Sequence, residues 1–312
     1  MDSKYRLITR DDFDGLASCL LLKKLDLIDD ILFVHPRQMQ HGQVVLTERD
    51  ISSNLPYVAG IYMAFDHHIS EITRVGTDCR NFICNPEKPS AARVIYEYFN
   101  MTEKFPSLFD ELLLNVDKAD SADFTKEDIL NPTGWILFNF ILDPKTGFSR
   151  FHDFSMTNEQ LIRSFVDSWK GESIEQILQR PEIQERVLMY HTYQEHFMEQ
   201  IERCALVHKN IVIVDLTQEE ILYPGNRFMV YALYPQCDLS LFIQKENGSD
   251  KITFSVGRSI LKKTSPVNVG DLMLKYHGGG HKGAGTCQSE ISDLEKVKLD
   301  LMSDIFMQYE GT

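Results

Sequence analysis

The chain has 312 residues, of which 43% are hydrophobic and 25% charged, and a formal net charge of −14. That length holds two domains of ordinary size, and no apolar stretch is long enough to span a bilayer, so no membrane partner is expected. So acidic a surface repels a long polyanion, which excludes a protein that coats long duplex nucleic acid and directs any anionic substrate to a locally basic or metal-bearing cleft. The 6 cysteines form no CxxC pair and read as reduced thiols. The opening segment, Met1 to Arg6, lacks a cationic start followed by an apolar stretch, so a cytoplasmic location is expected.

Residues 5–9 form a short apolar-rich strand candidate, followed by an acidic turn and a helical run at 16–22. Apolar runs at 31–35, 44–47 and 61–65 read as further strands of an open, mostly parallel sheet. Helix patterns at 90–99 and 109–116 supply cover for it. From 158 to about 203 the chain is polar and helical, and Pro181 opens the last long helix. Strand candidates then follow at 210–215, 228–233, 239–244 and 252–256, with turn signals at Pro224-Gly225-Asn226 and Asn247-Gly248. The fold class is therefore α/β: a mostly parallel sheet flanked by helices, a helical connector, and a smaller α/β domain with a mixed sheet.

Chemistry concentrates at strand ends. The run ending in Asp66-His67-His68 presents an acid and two imidazoles where open α/β sheets bind ligands. Adjacent histidines on a strand face opposite ways, so one of them can equally be a satisfied core residue. Asp12 and Asp14, spaced by one residue before Gly15, can share a face in an extended turn, or can simply decorate a helix N-terminus. Asp50 follows the run at 44–47, and Asp120 lies in the segment Ala119-Asp120-Ser121-Ala122-Asp123-Phe124. Carboxylate oxygens and an imidazole at successive element ends are the donor set of a dinuclear hydrolytic centre.

These motifs resemble those of the DHH phosphoesterase superfamily, including its exopolyphosphatase-like, nanoRNase-like and RecJ-like members. Asp66-His67-His68 matches the motif that names it; Asp12 and Asp14 match the first acidic motif, Asp50 the second, and the Asp120 segment the fourth. The stretch Tyr276-His277-Gly278-Gly279-Gly280-His281-Lys282-Gly283 resembles the glycine-rich motif of the DHH-associated substrate-binding domain. Three glycines let backbone approach a phosphate, with His281 and Lys282 beside it. Arg258 matches a basic position suited to a bidentate phosphate contact.

The resemblance implies a catalytic domain at 1–190, a helical linker at 191–204 and a substrate-binding domain at 205–312. It implies two divalent metal ions, Mn²⁺ or Mg²⁺, bridged by Asp50, with Asp12, Asp14, His67 and Asp120 completing the ligands. His68 and His281 would bind or protonate the phosphate and Asp66 would orient an imidazole, while Arg258, Gly278, Gly279, Gly280, His281 and Lys282 would bind substrate. One position departs from the pattern: Ile8 stands where many relatives carry a histidine, so the first metal site lacks a ligand unless Asp11 substitutes or the ion arrives with substrate. The implied reaction is hydrolysis of phosphodiester or phosphoanhydride bonds in short oligonucleotides, dinucleotides, 3′-phosphoadenosine 5′-phosphate or polyphosphate, by a cytoplasmic enzyme that relatives suggest is a homodimer. The alternative is a catalytically weak nucleotide-binding regulator with the same fold; a processive nuclease on long strands conflicts with the acidic surface.

Overall fold

A computed structural model describes residues 4–76, 79–150, 153–246 and 248–310. The chain divides into two compact units, residues 1–123 with 132–189 and residues 124–131 with 190–312.

In the first unit, strands β1 (Tyr5–Thr9), β2 (Ile28–Phe33), β3 (Asp50–Ser53), β4 (Met63–Asp66) and β5 (Phe82–Cys84) form one sheet in the order β2-β1-β3-β4-β5. Every pairing is parallel, so all five carboxyl ends lie along one edge. Helices Phe13–Lys24, Ala91–Tyr98 and Asp110–Asp120 pack together beside it. The first of these is apolar almost all round, with Leu16, Leu20, Leu21 and Leu22 buried, as a helix enclosed by protein must be.

The run at 44–47 is not a strand. Val44 and Leu46 instead pack on a small apolar cluster of Ile8, Met39 and Leu55, and Val45 is 83% exposed. The strand begins three residues later, in the polar segment Asp50–Ser53, because burial on both faces between β1 and β4 can be met by paired backbone and small hydroxyl side chains as well as by branched ones. Thr9 Oγ1 donates to Ser53 O, and the Ser18 and Ser53 hydroxyls pair at 2.8 Å.

The second unit carries a mixed sheet of β6 (Ala205–His208), β7 (Ile211–Asp215), β8 (Leu239–Lys245), β9 (Lys251–Arg258), β10 (Gly279–His281) and β11 (Ala284–Glu290), in the order β10-β11-β9-β8-β7-β6. Only β7 and β8 run parallel. Its core joins Ile213, Leu241, Phe254 and Val256 to Leu272 and Met273 of the helix Val269–Lys275 and to Leu301 and Ile305 of the helix Leu294–Glu310. The apolar run at 228–233 is the short helix Met229–Leu233 and not a strand; an apolar run of that length carries no period of its own, and here burial is met by a helical turn. Of the turn expected at 247–248, Asn247 lies outside the described residues. Among the described residues no helix is long and apolar enough to cross a membrane.

The bend from β1 into the helix Phe13–Lys24 depends on Gly15, where a Cβ would lie 1.9 Å from the Arg10 carbonyl oxygen. Gly15→Ala is expected to cost about 3 kcal/mol of stability, the upper range for overpacking at an unyielding site. Urea unfolding of the purified variant measures it, and an unchanged midpoint would contradict the tight bend.

Candidate metal and phosphate site

The helix Phe13–Lys24 starts immediately beyond the carboxyl end of β1, and Asp12 caps it by accepting from Gly15 N at 3.0 Å. Two residues on, in the first turn of the helix, Asp14 is 2% exposed. Its two oxygens accept from Ala92 N at 2.8 Å and Ala91 N at 3.2 Å, so the first turn of the helix Ala91–Tyr98 points its free N–H groups at a carboxylate. That helix is fixed in turn: Ser90 Oγ and Arg93 both donate to Asp117. Asp117 lies one turn before Asp120 on the helix Asp110–Asp120, which places Asp120 beside Asp14.

His67 follows β4. Its Nδ1 donates to the Lys88 carbonyl at 3.3 Å, which leaves Nε2 as the free ligand atom. Nε2 is buried, stands 2.9 Å from Asp120 Oδ2, and makes no properly oriented hydrogen bond. Donor atoms of Asp14, His67 and Asp120 all lie within 4.8 Å of one another. Two carboxylates and an imidazole lone pair, converging where Asp14 is buried, His67 half-buried and Asp120 exposed, favour a positive charge among them, a proton or a metal ion, and this donor set of oxygen and nitrogen fits Mn²⁺ or Mg²⁺.

The titration behaviour reports the same crowding. Burial, then Asp120, push Asp14 up to about 8. Burial alone would lower His67, but Asp120 and then Asp14 raise it to about 9. For Asp120 burial acts upward, and contact with His67 wins and holds it below the usual carboxylate range.

Asp66 is 1% exposed, and its Oδ1 takes His67 N at 2.8 Å and His68 Nδ1 at 2.8 Å. It thus orients the His68 ring, whose side chain is 40% exposed. Asp12 is turned differently from its neighbour: Arg10 Nε meets its Oδ2 at 3.0 Å while Oδ1 caps the helix. Burial still raises Asp12 despite that partner.

Asp50 is not part of this cluster, against the expectation that it bridges two ions. It opens β3, where it pairs with Arg6 near the start of β1, at the sheet edge opposite the strand ends that carry Asp14 and His67. Its carboxylate is spent on Arg6 at 2.8 Å and on the Thr47 N–H. The misplacement follows from the run at 44–47, which made Asp50 look like the end of a strand rather than its beginning.

The residue at the carboxyl end of β3 is Asn54, which sequence reasoning missed. It is 3% exposed and left-handed at φ 57, it donates its backbone N–H to Phe65 O, and neither amide atom of its side chain has a partner. The only sequence signal is an Asn, which tolerates that conformation, directly after a polar strand.

In the second unit the other candidates share one end of the sheet. Arg258 closes β9, its N–H bonded to Gly283 O, and Gly280 and His281 pair with Gly285 and Ala284 in the β10–β11 hairpin. A Cβ at Gly278 would lie 2.2 Å from Thr286 O and one at Gly280 would lie 2.3 Å from Ala284 O, whereas at Gly279 it would meet nothing within 4 Å. His281 and Lys282 are exposed, and His281 Nδ1 accepts from Gly283 N.

A parallel sheet that gathers acids and imidazole at its strand ends, followed by a second domain with a basic glycine hairpin, is the architecture of a phosphoesterase. Among solved structures, the pGpG-specific phosphodiesterase PggH from Vibrio cholerae is 47% identical over 98% of this chain and 100% of its own, with a TM-score of 0.83. An exopolyphosphatase-related protein from Bacteroides fragilis (16% identity, 98% of this chain, 94% of that one, TM-score 0.55) has a similar fold. RecJ from Thermus thermophilus, solved with Mn²⁺, does so too (13%, 97% of this chain, 52% of that one, TM-score 0.59). No protein-family profile and no curated protein matches. The chain belongs to the DHH phosphoesterase superfamily and is a phosphoesterase hydrolase.

Asp14 and His67 bind protons more tightly in the native than in the unfolded chain, so their contribution is lost as pH rises, from 3.8 to about 8 for Asp14 and from 6.5 to about 9 for His67. The thermal midpoint of chelator-treated protein is therefore expected to fall across this range, and Mn²⁺, which replaces those protons, to flatten the fall. Calorimetry at matched ionic strength measures both; a midpoint rising toward pH 9 without metal would contradict the crowding.

Proposed function

We propose that the protein is a metal-dependent phosphodiesterase that hydrolyses linear dinucleotides of the pGpG type and other very short oligonucleotides to mononucleotides. The convergence of Asp14, Asp120 and the Nε2 of His67 within 4.8 Å carries this reading. The full-length likeness to a pGpG-specific phosphodiesterase supports the substrate class, and the acidic chain suits a substrate with few phosphates over a polymer. The 6 cysteines are all free thiols, which agrees with a cytoplasmic enzyme.

Asp14, His67 and Asp120 would hold a divalent cation, which would supply positive charge to the phosphate oxygens and acidify a water. The protein groups do the rest. Asp66 accepts the Nδ1–H of His68 and so orients its half-exposed ring; in the doubly protonated ring the Nε2–H can pass to the leaving oxygen. Buried Asp66 is a positioning residue, aligning His68 as it also caps the His67 backbone. In the second unit Arg258, Lys282 and His281 offer cationic and N–H donors to a substrate phosphate, and Gly278, Gly279 and Gly280 keep the hairpin backbone within reach.

Mononucleotide release from pGpG under Mn²⁺, resolved by chromatography, tests the reading. Asp14→Asn, His67→Ala and Asp120→Asn are each expected to lower kcat/KM at least about a hundredfold, while Asp50→Asn should leave it within about threefold and instead lower stability by about 1–3 kcal/mol through lost bonds to Arg6 and Thr47. Tight pGpG binding with no turnover in Mn²⁺ or Mg²⁺ would favour a regulator.

A further inference from the structure

We infer that this site binds one divalent cation rather than two, and that the guanidinium of Arg10 occupies, as a fixed charge, the side where a second ion would sit. The inference rests on the metal-binding reading above and deepens it.

A second cation beside the first needs anionic donors of its own, and at the carboxyl ends of β1 and β3 these are few: the Asn54 carboxamide has no partner but is neutral, and of the carboxylates that follow β1 besides Asp14, Asp12 is already committed. Asp12 is the nearest carboxylate in sequence to Asp14, but its Oδ1 is spent on Gly15 N and its Oδ2 on Arg10 Nε. Ile8 has no donor atom and is fully buried; it forms the centre of the cluster with Met39 and Leu55, on which Leu32, Val34, Val44, Leu46 and Val58 also pack. That side of β1 is thus filled with hydrocarbon, and a hydrated divalent ion cannot be desolvated there. At the end of β3 the chain places the neutral carboxamide of Asn54 and not a carboxylate, and Asp50 is committed to Arg6 at the far edge. Asp11 belongs to neither of the two groups of convergent donors; the other group, Asp66, His67 and His68, shares His67 with the first, and its Asp66 Oδ1 is spent on the His67 N–H and on His68 Nδ1.

Arg10 adds a repulsive term to this shortage. Its side chain is 29% exposed and ion-paired with Asp12, with Asp120, Asp143 and Asp14 near enough to reinforce its charge. A guanidinium never gives up its proton in this environment, so a divalent ion on that side meets a permanent like charge, while a phosphate oxygen meets a donor. Arg10 can therefore stabilise the phosphate in the way a second metal would, without needing to be loaded.

The test is metal stoichiometry of the full chain, read without any turnover. Equilibrium dialysis against Mn²⁺ is expected to give one ion per chain, and paramagnetic resonance an isolated six-line Mn²⁺ signal. Arg10→Gln should release Asp12 and tighten uptake of a second Mn²⁺ by about tenfold or more, whereas Arg10→Lys, which keeps the charge, should stay at one ion; circular dichroism shows that each variant is folded. Two ions of similar affinity on the wild-type chain, or an exchange-coupled Mn²⁺ pair, would overturn the inference, as would a folded Arg10→Gln that still takes up only one. No Mn²⁺ bound at all would overturn it together with the metal reading. One ion bound with no hydrolysis of any dinucleotide would uphold it and overturn the proposed function.

Discussion

The buried carboxylate of Asp14, held by the first N–H groups of the helix Ala91–Tyr98, is the joint on which the site depends. It fastens the bend after β1 to a helix far along the chain, and that helix is fixed by Ser90 and Arg93 to Asp117, one turn from Asp120. The imidazole of His67 then closes the group from the end of β4, steered by the Lys88 carbonyl just upstream of the same helix. Four segments distant in sequence are thus brought to one point by contacts that each satisfy a helix end or a buried polar group. The cluster is electrostatically costly without a cation, and the surrounding bonds are what keep it from relaxing.

Much of this was legible in the sequence because the strongest signals are local. Asp12, Asp14 and Gly15 sit within one bend, and Asp66-His67-His68 at one strand end, so spacing brings each set together, although it does not show that Asp12 turns to Arg10. Asp120 was recognisable by its motif, although the Asp117 bonds that aim it were not. A mostly parallel first sheet and a mixed second sheet were legible in the order of apolar runs and turn signals, although two of those runs are not strands.

The misreadings share one physical source: an apolar run reports burial and not conformation. Residues 44–47 are apolar because Val44 and Leu46 roof over Ile8, and residues 228–233 because the helix Met229–Leu233 is buried. The true β3 is Asp-Ile-Ser-Ser, in which the Ser53 hydroxyl pairs with Ser18 and the Ser53 carbonyl accepts from Thr9, so it carries no hydrophobic signature. Shifting that strand moved Asp50 to the wrong edge and hid Asn54. The same cluster accounts for Ile8: its departure from the family pattern is an apolar packing decision that involves seven neighbouring side chains rather than the loss of one ligand.

The glycine hairpin divides its three glycines unequally. Gly278 and Gly280 are demanded by the chain's own backbone, which a Cβ would strike at 2.2 and 2.3 Å, but around Gly279 the fold leaves open space. Selection acting on folding alone would therefore accept many residues at position 279. On the proposed function that open space is room for the substrate, and the range of side chains that position tolerates in active variants would trace its outline as a mould records its casting.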